Sequence, residues 1–169
     1  MMTWLWPGLF LATVPAANWM IGNVGTCVPS GPCLLPVAPG LMAPSGVYVI
    51  GAAFMLRDLV HRDHGMIGVA VCIMIGAVIS ALVAAPGLAL ASVAAFVISE
   101  TLDTAIFARL RERGFLIAAA TSSVVGAVID SAAFLLIAFG SLDYVAGQIV
   151  GKLWAVAAFA LAIRARGTE

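Results

Sequence analysis

Six ionisable side chains stand inside or at the edge of apolar runs of this chain: Arg57, Asp58, Glu100, Asp103, Asp130 and Lys152. Glu100 and Asp103 lie three apart in Ala94-Ala95-Phe96-Val97-Ile98-Ser99-Glu100-Thr101-Leu102-Asp103, so a helix puts both carboxylates on one face. No basic residue lies within a helical turn of either on the same helix. An acid at the centre of a bilayer costs roughly 2.5–3.5 kcal/mol on insertion scales, and such residues mark solute or proton sites or interhelical ties.

Two further stretches carry chemistry. In Thr121-Ser122-Ser123-Val124-Val125-Gly126-Ala127-Val128-Ile129-Asp130-Ser131, the residues Ser122, Gly126 and Asp130 recur every four positions and form one stripe. Small residues admit a neighbouring backbone, and an Asp closing that stripe faces protein or a cavity rather than lipid. In Gly147-Gln148-Ile149-Val150-Gly151-Lys152, the two glycines make a close-packing pair, and Gln148 and Lys152 share an adjacent face. Lys152 falls near mid-span and needs a partner, for which Asp130 and Glu100 are the candidates.

Left unpaired, the six groups would cost on the order of 15 kcal/mol, so they must converge on one another, on water or on a ligand. With two positive charges against four negative, the set favours a cationic or donor-rich solute, or a proton. Phe96 and Phe134 lie on the same helices and can stack on a flat ligand, although Phe in such runs more often simply packs. Arg57 and Asp58 read either as a helix-end pair with a snorkelling Arg or as a gate opposite the acids around Glu100.

The elements that position these groups follow from composition. Of 169 residues, 63% are hydrophobic and 9% charged, far below the roughly 25% charge of ordinary soluble chains. Apolar runs of about 20 residues give spans at about 4–22, 45–61, 66–85, 88–110, 115–139 and 144–163. Asn18 is a polar residue inside the first, and Pro86-Gly87 marks a tight turn. The first span lacks the basic flank of a secretion signal and reads as retained. The 23–44 segment, rich in Pro and Gly and free of charge, reads as a loop, partly re-entrant. The expected fold is an all-α membrane protein: one domain, residues 1–169, a bundle of six transmembrane helices.

Charge orients that bundle. The connections near residues 22–45, 85–88 and 140–143 carry no Lys or Arg, whereas Arg57, Arg62, Arg109, Arg111, Arg113, Arg164 and Arg166 all fall at the other end. The positive-inside rule places that end, and both termini, in the cytoplasm. The halves show no sequence similarity of the kind inverted repeats leave. His61 and His64 with Asp58 and Asp63 are too loosely spaced for a closed metal set, so a solvated loop is the better reading. Cys27 and Cys33 sit in the predicted outer loop, where a disulfide is permitted, and Cys72 reads as core. No cofactor and no nucleic-acid partner is expected; self-association and driving force are left open.

The order of these motifs resembles the VUT family, the queuosine precursor transporters. The likeness rests on Asn18, on Pro-Ser-Gly-Val-Tyr with Leu-Arg-Asp-Leu and Gly65, on Ala-Phe-Val-Ile-Ser-Glu-Thr-Leu-Asp, on Ser-Ser-Val-Val-Gly-Ala-Val-Ile-Asp-Ser and on Gln-Ile-Val-Gly-Lys. It runs from about Ala43 to Lys152. Leu-Arg-Asp stands where other members have a Thr-Asp type sequence. The resemblance implies a six-helix inner-membrane importer of 7-deazaguanine bases, with Arg57, Asp58, Glu100, Asp103, Asp130, Ser131 and Lys152 at motif positions. Gln148, Asn18, Phe96 and Phe134 complete the expected substrate-binding set. A guanine-like edge offers adjacent N–H donors to a carboxylate, assigned here to Glu100 or Asp130, and an aminomethyl precursor would add a cation.

Other readings are the substrate-binding subunit of an energy-coupling-factor importer, an intramembrane enzyme built on a Ser–Lys or two-Asp pair, and a channel or scaffold. The first needs a partner ATPase, since the chain has no G-x-x-x-x-G-K-[ST] segment.

Overall fold

The computed structural model describes residues 4–29, 31–113 and 115–165; the side chains at 103–104, 107–108, 111, 115–120, 122–123, 159–160 and 162–165 lie outside the description. Among the described residues, the Ala-, Leu- and Val-rich runs form helices α1 (Leu5–Asn23), α2 (Val47–Val83), α3 (Pro86–Leu110), α4 (Phe115–Phe139) and α5 (Val145–Ala165). A single 3₁₀ turn, Arg111–Arg113, links α3 to α4. Pro86 and Gly87 occupy the centre of the Ala85–Leu88 turn that opens α3, where the missing N–H of proline costs nothing.

The two spans expected at 45–61 and 66–85 are the two helical segments of α2, which meet at a break at Gly65. Gly65 has φ 67° and ψ −171°, a conformation open to glycine because it lacks Cβ. The break takes a single residue, so both segments stay helical up to it. His61 and His64, expected in a solvated loop, are therefore helical, and the His64 ring lies 5.4 Å from that of Trp4.

The connection expected to be a loop folds as well. Strands β1 (Thr26–Cys27), β2 (Cys33–Ala38) and β3 (Leu41–Pro44) form an antiparallel sheet in that order. The fold is thus mostly helical, not all-α. Pro36 and the flanking glycines disfavour helix here, and the ladder pairs backbone groups of the buried residues Cys33 and Leu34. Pro36 sits at the bulge between β2 and β3, where a missing donor is tolerated. The Cys27–Cys33 disulfide, left open by the sequence, joins β1 to β2.

Packing divides the helices. α3 and α4 lie side by side as a hairpin, while α1 and α5 pack on α2, and α5 also packs on the sheet. Phe10, Ala53, Leu56, Val60, Val69 and Cys72 form the core between α1 and the two segments of α2. The outer surface is apolar, with Ile67 80% and Leu82 81% exposed, whereas Ser80, Asp130, Ser131, Gln148 and Lys152 are buried. Apolar residues exposed on this scale fit a lipid surface. Among the described residues, α2 is the helix long and apolar enough to cross a membrane.

Candidate functional site

The site is built around the way α5 is drawn inward. At Gly147 an added Cβ would overlap the Met42 carbonyl oxygen of β3, and at Gly51 of α2 it would meet the Lys152 carbonyl oxygen at 2.8 Å. Only glycine allows these approaches, which bring Lys152 to 2% exposure at the centre of the bundle. There Lys152 Nζ donates to Asp130 Oδ2 at 2.5 Å and to Ser131 Oγ at 2.8 Å, both on α4. Ser131 Oγ in turn donates to the Ala127 carbonyl at 2.7 Å.

A second ion-paired group sits one layer away. Arg57 of α2 donates through Nε (3.0 Å) and Nη2 (2.7 Å) to Asp58 Oδ1, and through Nη1 to Glu100 Oε2 of α3. Phe54 lies between the two cations: its ring centroid is 5.8 Å from Arg57 Cζ and 5.7 Å from Lys152 Nζ. Both fall within cation–π range.

Two cavities meet at this layer. The one nearer the sheet encloses about 140 Å³ and draws on all five helices; Asn18, Phe96, Asp130, Phe134, Gln148 and Lys152 line it. That is room for a small molecule rather than a lone water. The other, about 110 Å³, is lined by Arg57, Asp58, Ser99, Glu100 and Lys152 among others. In the sheet-side cavity Asn18 Nδ2 donates to the Val14 carbonyl (2.9 Å) and Ser80 Oγ (3.2 Å). Gln148 is 4% exposed, and its Oε1 is buried without a hydrogen-bond partner among the described residues. An orphaned acceptor of this kind costs about 1–3 kcal/mol. A donor supplied by a ligand would remove that cost.

The sequence-predicted residues are therefore distributed over two chambers. Asn18, Phe96, Asp130, Phe134 and Gln148 share the sheet-side cavity, Asp58 and Glu100 the other, and Arg57 and Lys152 border both. Ser131 lines neither and serves Lys152. The side chain of Asp103 lies outside the described residues. Of the two partners open to Lys152, Asp130 is the one it takes. The acids are not without partners: Asp58 and Glu100 share Arg57, and Asp130 engages Lys152, so the excess of acid among the described groups falls at Arg57 and not at Lys152. Phe54, Ser80 and Ser92, which sequence reasoning passed over, also line the sheet-side cavity. For Phe54 the signal was its position three residues before Arg57 on one helix.

A helical bundle with an apolar surface, a buried ion pair and cavities between its helices fits a membrane protein with an internal site. The family described as putative vitamin uptake transporter matches residues 77–165, more than half of the chain, and the chain belongs to that family. The match takes in Glu100, Asp130, Gln148 and Lys152. No curated protein and no solved structure matches the chain.

Proposed function

We propose that the chain is an inner-membrane uptake transporter for 7-deazaguanine bases, the queuosine precursors, or a similar flat nitrogenous solute. In this reading residues 1–169 form one multi-pass domain. The two segments of α2 are separate spans, giving six, and both termini are cytoplasmic. The reading rests on one observation above all: the buried, unpartnered Oε1 of Gln148 in a cavity that Phe96 and Phe134 also line. A planar base carrying adjacent N–H donors answers both features. Gln148 Oε1 accepts one donor, Asp130 accepts the next through the oxygen Lys152 leaves open, and the two phenyl rings take the flat faces.

The charges of this chamber favour an uncharged solute. Lys152 and Asp130 neutralise each other, and Glu100 belongs to the other cavity on Arg57. The base-edge role, first divided between Glu100 and Asp130, therefore goes to Asp130 with Gln148.

Lys152 and Ser131 do not have the geometry of a Ser–Lys dyad. Lys152 is 2.8 Å from Ser131 Oγ, but it donates to that oxygen and is held by Asp130. Ser131 is fully buried, lines neither cavity and spends its proton on the Ala127 carbonyl. A nucleophile needs a free base and an approach for substrate, and Ser131 has neither.

Uptake of a labelled 7-deazaguanine base by cells expressing the chain tests the proposal. Saturable uptake that falls in Gln148→Leu and Asp130→Asn supports it, and full uptake in both variants overturns it. Uptake that depends on a co-purifying ATPase would reassign the chain to an energy-coupling-factor importer.

A further inference from the structure

The two cavities change over at the same level on four helices. Along α3, Ser92 and Phe96 line the sheet-side cavity and Ser99 and Glu100 the other; along α4 the change falls between Ala127 and Asp130. On α2 and α5 the changeover residues line both: Phe54 and Arg57, and Lys152. The chambers are thus stacked along the bundle, with Phe54, Arg57 and Lys152 as the partition between them.

The ties across that partition follow the division of the helices. The α3–α4 hairpin packs mainly on itself, and α2 packs on α1 and α5. The partition's two interhelical ion pairs both bridge these units: Arg57 of α2 to Glu100 of α3, and Lys152 of α5 to Asp130 of α4. Within the α2–α5 unit the backbones touch at Gly51 and Lys152 and leave no slack. Among the described residues the units meet where α2 faces α3 and α4 faces α5, and much less closely than the helices within each unit.

We propose that the α3–α4 hairpin rocks against the unit of α1, α2, α5 and the sheet. Arg57–Glu100 and Lys152–Asp130 are the latches of this motion, and Phe54 is the plug. The cavity around Ser99 and Glu100 is then a second station for the solute, which reaches it when the latches part. Direction rests on the importer reading, while the partition itself depends on no particular substrate.

Thiol accessibility in right-side-out and inside-out vesicles tests this. Cys72 packs in the core between α1 and α2, so both reporters are made with Cys72→Ser. Ser92→Cys, at a half-buried position, reports on the sheet-side cavity and Ser99→Cys on the second; all three changes are close to isosteric. An impermeant methanethiosulfonate should reach Ser92→Cys from the outside only and Ser99→Cys from the cytoplasmic side only. Phe54→Ala, and separately Arg57→Gln with Glu100→Gln, should abolish that exclusivity. Labelling of both reporters from one side in chains with the partition intact overturns the proposal, as does full sidedness in both partition variants. Protection of Ser92→Cys by 7-deazaguanine is a separate arm: its failure with sidedness intact counts against the substrate alone.

Discussion

Lys152 donates to Asp130 across the α4–α5 interface at 2.5 Å, with the two side chains 3% and 10% exposed. Such a pair is fragile towards loss of one member and tolerant of loss of both, because a single substitution strands the remaining charge. Lys152→Met alone or Asp130→Leu alone should destabilise the fold by about 3–5 kcal/mol, whereas the double variant returns close to the parent. Thermal unfolding of the detergent-purified protein reads the difference. Transport should be lost in all three.

Gln148 is the converse case, a polar group that the fold alone leaves unsatisfied. Gln148→Leu should leave thermal stability unchanged or raised, because it removes an orphaned acceptor. It should weaken binding of the solute by about 1–3 kcal/mol, a rise in KM of roughly 5- to 150-fold. A KM effect without a stability loss separates a ligand contact from a packing role.

Charge neutrality in the sheet-side cavity predicts an order of competitors. An uncharged 7-deazaguanine base should compete for uptake more strongly than one bearing a protonated aminomethyl group, since Asp130 is already matched by Lys152. Competition by the two at equal concentration is the measurement. The reverse order would place a free acid in the cavity that Lys152 and Asp130 do not leave.

The disulfide predicts a count. Without reduction, one thiol per denatured chain, Cys72, should react with an alkylating reagent, and three should react after reduction. Closing so short a loop is worth about 2 kcal/mol in the chain-entropy account. Reduction should therefore lower the melting temperature modestly and leave the helices intact.

Much of the site was legible in the sequence because membranes penalise charge so steeply. Lys152 and Asp130 stood out as residues that lipid does not tolerate alone, and the Gly147/Gly151 spacing announced the close approach that places Lys152. The choice between Asp130 and Glu100 was not legible, since it depends on which helices pack as neighbours. Phe54 was invisible for a different reason: one Phe in an apolar run looks like any other until two cations are placed beside its ring. The sheet was hidden by Pro36 and Gly40, which signal a loop as readily as a strand with a bulge and a turn. The break within α2 was legible, since Gly65 and its charged neighbours mark a connection; what the sequence did not show is that this connection shrinks to one glycine at positive φ.

The central claim is that the chamber lined by Asn18, Phe96, Asp130, Phe134, Gln148 and Lys152 receives a flat, donor-bearing base. Its most direct test is uptake of labelled 7-deazaguanine into proteoliposomes containing the purified chain alone, run beside Gln148→Leu. The account predicts saturable uptake, competed by unlabelled base, with KM raised in the variant. Non-saturating flux, or a KM unmoved by Gln148→Leu, would contradict it.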